Sequence, residues 1–205
     1  MRRWAGVLVA VGVMSGAIDL PKVRAVLGAA EPSELERPRR AAVALVLSHH
    51  PDRTLSALLM RRAEREGDPW SGHMALPGGH EHVSDRDLLY TAKRETLEEV
   101  GLDLEGAELL GRLDDMSPLR SSAMTVRPFV FWVAEPPALT LSLEVAETLW
   151  VPLVDLASDK LRATRQVEVA ATRVDVPAFV IGERVVWGMT FHLLERFLAQ
   201  ILRAP

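Results

Sequence analysis

The chain contains no cysteine. Disulfides, thiolate zinc sites and a cysteine nucleophile are therefore excluded. It also lacks an excess of positive charge: 24 Lys and Arg stand against 28 Asp and Glu, a formal net charge of −4. Binding to a phosphate backbone is driven by surplus Lys and Arg, so no nucleic-acid partner is expected. A small phosphorylated substrate stays admissible, because local charge decides there. No apolar run is long enough to span a bilayer, and there are no repeats and no low-complexity tract. What remains is 205 residues, 48% hydrophobic and 25% charged, enough for one cored domain with some extension.

Arg2 and Arg3 precede an apolar run from Trp4 to Met14, and Ser15-Gly16-Ala17 offers small residues where a signal would be cleaved. The alternative is translation from Met14, with 1–13 an artefact of the start. The division expected is an N-terminal extension and linker over 1–37 and a single domain over 38–205. Within the extension, Ile18 to Ala30 reads as a short amphipathic helix. Glu31 to Arg40, charged and carrying Pro32 and Pro38, reads as a linker.

Ala41 to Leu47 is a continuous apolar run of the kind a buried strand shows, and Leu55 to Met60 reads as a second strand after a Pro51-Asp52 turn. Arg61 to Trp70 reads as a loop. Asp85 to Val100 is the clearest helix. Asp85 or Ser84 can cap it, Leu88, Leu89, Ala92, Thr96 and Val100 form its apolar stripe, and Gly101 sits where a C-cap belongs. Thr125 to Ala134 reads as a strand, at an edge or bulge because of Pro128. Trp150 to Val154 reads as a short strand and Trp187 to Leu202 as a closing amphipathic helix. This order of elements predicts an α/β or α+β sandwich.

The chemistry concentrates in Arg94-Glu95-Thr96-Leu97-Glu98-Glu99-Val100-Gly101-Leu102. Spacings of three and four place the carboxylates of Glu95, Glu98 and Glu99 on adjoining parts of one helical face. Like charges so placed cost about 0.2–0.5 kcal/mol per pair, and a divalent cation relieves them. All-oxygen ligands suit Mg²⁺ or Mn²⁺. Arg94 can fix a carboxylate through a two-pronged bond. Pro77-Gly78-Gly79 lets the backbone approach a ligand closely. The bland counterpart is an acidic solvent face.

The Arg94–Leu102 block resembles the Nudix family, whose signature is G-x5-E-x7-R-E-U-x-E-E-x-G-U with U aliphatic. Thr96 takes the first U place. Counting back from Arg94, the signature glutamate falls on Arg86 and its glycine on His80. The loop is one residue longer, and Asp85 and Asp87 flank the missing glutamate as candidate substitutes. Pro77-Gly78-Gly79, Asp85-Arg86-Asp87 and Thr91-Ala92-Lys93-Arg94-Glu95 are most similar to the coenzyme A pyrophosphatase branch. Leu58-Leu59-Met60-Arg61-Arg62-Ala63 and Gly72 to Gly79 resemble the two ends of that branch's upstream motif; Asp68-Pro69-Trp70 stands in place of its middle. Glu144-Val145-Ala146-Glu147, Trp150 to Leu153, and Val186 to Thr190 extend the likeness.

The resemblance implies a Nudix-type α/β/α sandwich with a mixed central sheet. It also implies a Mg²⁺- or Mn²⁺-dependent pyrophosphohydrolase acting on a nucleoside diphosphate-linked metabolite. Coenzyme A or a derivative is the favoured substrate; ADP-ribose or a nucleoside diphosphate sugar is the alternative, and a silent nucleotide-binding regulatory module the other class. Glu95 and Glu99 would be metal ligands, Glu98 a ligand or base, Arg94 the orienting residue, and the Gly79 carbonyl would complete the metal shell. Glu144 and Glu147 are alternative bases. Arg61, Arg62 and Arg65 could meet phosphates, as could His80 or His82; Gly78 would approach the substrate. Trp70 and Trp150 are stacking candidates beside an ordinary core role. Zinc on His73, His80 and His82 has weak support from spacing. Nucleotide substrates place the chain in the cytoplasm, and a homodimer is compatible with this reading.

Overall fold

A computed structural model describes residues 18–50, 52–67, 70–118, 123–136, 138–169 and 172–204. The signal-like segment and alternative start over 1–17 lie outside them, as do Pro51, Asp68, Pro69 and Pro137. The chain begins with helix α1 (Leu20–Gly28), capped by Asp19, whose side chain accepts from Lys22 N–H at 2.9 Å. Its apolar side, Leu20, Val23 and Leu27, is buried against β5 (Glu108–Arg112) and α4 (Gly188–Arg203).

The expected linker is an ordered strap. Ser33 donates to Asp114 through N–H and hydroxyl, Leu35 N–H donates to Asp115, and Leu35 C=O accepts from Thr125. Those side chains satisfy backbone groups that a free linker would leave to water. β1 (Arg39–His49) therefore starts two residues before the apolar run.

The main sheet has seven strands in the order β3-β2-β1-β6-β5, with β4 on β1 and β7 on β2. Its members are β1, β2 (Leu55–Arg62), β3 (Met74–Ala75), β4 (Gly78–His80), β5, β6 (Met124–Trp132) and β7 (Val145–Pro152). β1 and β6 run parallel and the other pairs antiparallel, so the sheet is mixed. β1 and β2 pair only through Leu47–His49 and Leu55–Ala57, then diverge. β4 fills the gap on the β1 side and β3 on the β2 side.

β6 is interior rather than an edge. Pro128 is tolerated because its missing N–H faces β5 where that neighbour leaves the ladder. Leu113 N–H still bonds Pro128 C=O at 3.0 Å, and the next pairing is the bridge between Met116 and Val126.

Strand alternation separates two cores. Ala42, Ala44, Val46, Leu58 and Met60 pack on Leu88, Ala92 and Val100 of α2 (Leu88–Val100). Leu45, Leu47 and Leu59 pack on the opposite face with α1, α3 (Leu153–Ala157) and α4. This is the α/β/α sandwich. Sequence periodicity did not reveal the second sheet, β10-β9-β8, formed by β8 (Arg162–Val169), β9 (Thr172–Ile181) and β10 (Arg184–Trp187). Most of β8 and the first half of β9 is exposed on both faces, so no apolar alternation marks it. Among the described residues no helix is long and apolar enough to cross a membrane.

Candidate active site

α2 starts three residues later than its acidic run suggests. Asp87 is the N-cap, accepting from Tyr90 N–H at 2.7 Å. Asp85 is thereby released for another role. Its fully buried carboxylate receives both prongs of Arg94, Nε to Oδ1 at 3.0 Å and Nη2 to Oδ2 at 2.9 Å. His82 N–H and the Thr91 hydroxyl also donate to it. Arg94, the largest influence, holds the Asp85 carboxyl well below the usual carboxylate range. Arg86, at the counted glutamate position, lies over the Tyr90 ring, exposed. Asp85, one residue earlier, is therefore the acid that engages Arg94.

The rest of the Arg94 guanidinium reaches three more acceptors. Nη1 lies 2.9 Å from Glu95 Oε1 and 3.0 Å from Glu98 Oε2, and Nη2 donates to His80 C=O at 3.1 Å. Glu95 lies against Gly79 so closely that a Cβ there would fall 2.5 Å from Glu95 Cδ. Glu99 is only 5% exposed and accepts from Gly78 N–H at 2.8 Å. Burial pushes its carboxyl up to about 8; repulsion from Glu95 and Glu144 adds to this, while the Gly78 bond and Arg62 oppose it. Burial also raises Glu95, against the pull of Arg94. The burial of Glu99 was discoverable: it stands seven after Ala92 and eleven after Leu88, on the apolar stripe.

Ladder parity decides which backbone groups face the site. Ala44 N–H bonds Pro77 C=O and Glu81 N–H bonds Arg40 C=O. Residues 77, 79 and 81 therefore turn their polar groups to β1, while 78 and 80 turn theirs away. Gly78 N–H reaching Glu99 and His80 C=O reaching Arg94 agree with this. The carbonyl expected from Gly79 is thus directed into the sheet, and the one facing α2 next to Glu99 is that of Gly78. At Gly78 the φ of +148° and a virtual Cβ 2.3 Å from Ala42 O demand glycine.

The arginines separate. Arg61 shares the face of Leu59, and its Nε lies 2.8 Å from Glu147 Oε1; Arg62 shares the face of Met60 and acts on Glu99. Glu147, expected as an alternative base, is pinned between Arg184 and Arg61, which hold its carboxyl down, Arg184 foremost. Glu144 is half-exposed, pairs with Arg65 at 3.0 Å and acts on Glu99. Trp150 lies in β7 opposite Leu58 and packs half-buried on the α2-side core. Trp70 is 49% exposed, edge-on to His73, which is edge-on to Trp187. His80 and His82 are exposed.

Among the described residues, no three His, Asp or Glu side chains already close around one point, those of His73, His80 and His82 included. Each site glutamate instead takes a protein donor: Glu95 and Glu98 take Arg94, and Glu99 takes Gly78. The donor set still fits a hard divalent cation. It is all oxygen, and two adjacent carboxylates are held in conditions that disfavour their charge.

The family model of the NUDIX domain matches residues 37–171. The chain belongs to the Nudix domain family. This Nudix chain is 31% identical over 167 residues to the uncharacterized Nudix hydrolase NudL of Photorhabdus laumondii, covering 80% of the chain and 85% of that protein. It is 34% identical over 166 residues to the uncharacterized protein C14C4.10c of Schizosaccharomyces pombe, covering 70% of the chain. There it spans half of the yeast protein's length. The fold is similar to a MutT/nudix family protein from Enterococcus faecalis, at TM-score 0.54, 19% identity and coverage of 90% and 75%. It also resembles a NUDIX hydrolase from Alicyclobacillus acidocaldarius, at TM-score 0.50, 18% identity and coverage of 78% and 91%. The chain is a Nudix hydrolase.

Proposed function

We propose that this Nudix hydrolase uses Mg²⁺ or Mn²⁺ to cleave the diphosphate bond of a nucleotide-derived metabolite, with coenzyme A or a derivative as the favoured substrate. The observation that carries this reading is the pair of a half-buried Glu95, packed against Gly79, and a buried Glu99, which takes the Gly78 N–H and is repelled by Glu95. Coenzyme A is favoured on the Pro77-Gly78-Gly79, Asp85 and Thr91-Ala92 pattern.

Glu95 and Glu99 would hold the ion, with the Gly78 carbonyl beside them. A divalent ion there supplies charge neutralisation for the diphosphate oxygens and lowers the cost of generating a nucleophile from water. Arg94, clamped by Asp85, keeps Glu95 and Glu98 in place. Glu98, exposed and 3.0 Å from the guanidinium, would take the proton of an attacking water, and Glu144 is the second candidate. Arg62 adds a cation near Glu99 where phosphate charge would gather.

The test is hydrolysis of coenzyme A, ADP-ribose, a nucleoside diphosphate sugar and a dinucleotide with Mg²⁺ or Mn²⁺, in ¹⁸O-labelled water with mass-spectrometric detection. The expected result is two phosphate monoesters from coenzyme A, one of them labelled. Tight binding of a nucleotide with no cleavage by either metal would make the protein a binding module instead.

A further inference from the structure

The three-stranded sheet ends on β8, which pairs with β9 and has no strand on its other side. From Arg162 to Val169 it keeps register with β9 throughout, with neither proline nor bulge. Edges of this kind are usually blunted, because their free N–H and C=O groups recruit another strand. Leu161 C=O accepts from Val180 N–H at 2.7 Å. Backbone polar groups alternate sides along a strand, so Ala163, Arg165 and Val167 turn theirs to β9. Arg162, Thr164, Gln166 and Glu168 turn theirs outward. The side chains of Thr164, Arg165, Gln166 and Glu168 are exposed.

The order of residues along this edge is complementary to itself. In an antiparallel pair about a two-fold axis, the hydrogen-bonded pairs must join outward-facing residues of both copies. The register centred on Arg165 engages all four of them. Arg162 then stands opposite the partner's Glu168, and Thr164 opposite the partner's Gln166, and each pair recurs across the axis. Glu168 has no ion pair among the described residues. The Arg162 guanidinium meets Glu195 through Nη1 and Asp159 through Nε, and its Nη2 donates to no described residue. Opposite charges placed directly across a strand pair are favourable. On the other face, Val167 lies beside Val174 and would continue onto the partner's Ala163. Arg165 meets its own copy on the axis. That like-charge contact opposes pairing and keeps it reversible.

We propose that the β8 edge is the seam of a two-fold dimer, in which the β8 strands of two copies pair antiparallel about Arg165 and join their small sheets into one. The occupant of the edge is a second copy of this chain, because the charges of β8 match those of β8 reversed.

The chain has no cysteine, so one introduced thiol reads the register. Arg165→Cys removes the repulsion and faces its own copy in a non-hydrogen-bonded pair, with Cα atoms about 4.5 Å apart, within reach of a disulfide. In a glutathione redox buffer it should form covalent dimers roughly tenfold or more faster than Arg173→Cys, which is exposed on β9 away from the seam. Sedimentation equilibrium of the native chain should show monomer and dimer in exchange. Gln166→Pro removes an outward N–H and leaves the ladder to β9 intact, so the dimer should weaken about tenfold or more. Glu168→Arg should weaken it without altering the backbone, and Arg165→Val should tighten it. A native chain that stays monomeric at every concentration would overturn the seam. So would a dimer indifferent to Glu168→Arg and Arg165→Val, or equal cross-linking of the two thiols.

Discussion

Arg94 meets four partners, and Asp85 is the buried one that sets its position. Asp85→Asn keeps the shape but removes the charge-assisted fork. It should lower stability by about 2–3 kcal/mol, the scale for removing one partner of a largely buried ion pair. Turnover should fall at least tenfold, through kcat rather than KM, and Asp85→Glu should recover part of it. Urea unfolding and steady-state kinetics read both effects.

Glu99 makes a pH-dependent prediction. Its carboxyl titrates near 8 in the folded chain, whereas an unfolded glutamate titrates at about 4.3. Between those values the native state holds a proton that the unfolded state has lost, so stability falls as pH rises. The slope is roughly 1.4 kcal/mol per pH unit, and Glu95 pushes the same way. The metal-free chain should therefore melt at lower temperature at pH 8.5 than at pH 5.5, and Mg²⁺ should restore Tm selectively at the higher pH. Glu99→Gln should flatten this profile, raise the metal-free Tm at pH 8.5 and reduce Mg²⁺-dependent turnover by orders of magnitude. A native profile that is flat with pH, insensitive to Mg²⁺, would dismiss the buried-carboxylate picture.

At the scale of elements, α2 and β4 must approach almost backbone to side chain. Gly79→Ala places a methyl group 2.5 Å from Glu95 Cδ, so Glu95 has to rotate away. Far-UV circular dichroism should stay native while the Mg²⁺ concentration needed for half-maximal turnover rises at least tenfold. Much of α2 was legible in advance, because a 3.6-residue stripe and a Gly101 C-cap in the left-handed region are local properties. Its start was not. Asp85 or Ser84 reads as the cap, and only the position of Arg94 about two turns on, folded back over the loop, assigns Asp85 to the ion pair and leaves the cap to Asp87. The same holds for Arg61 and Arg62, which are adjacent in sequence yet lie on opposite faces once β2 is extended.

For the whole molecule, the segment before β1 is a structural contributor. Leu20, Val23 and Leu27 belong to the same core cluster as α4 and β1. Burying each contributes about 1.5–3 kcal/mol, and the sum rivals the net stability of an ordinary domain. A chain restricted to residues 38–205 should accordingly lose its cooperative melting transition or precipitate, whereas one restricted to 18–205, which keeps α1, should still melt cooperatively. Differential scanning calorimetry distinguishes the two. The strap between α1 and β1 read as a linker because its anchors, Asp114, Asp115 and Thr125, lie about eighty or ninety residues away, beyond any local pattern.

By itself the sequence determined the acidic helix, the first two strands and the family to which they point, while the Gly78-Gly79 segment it offered as a loop is strand β4. Helical and strand periods, glycine and the spacing of charges act over a few residues, and are written in order along the chain. Only the tertiary structure decided which aspartate holds Arg94, which glycine carbonyl faces the site, how deeply Glu99 is buried and that Glu147 is pinned by two arginines. Those outcomes depend on desolvation and on partners brought together from distant segments, and no local stretch of sequence contains them.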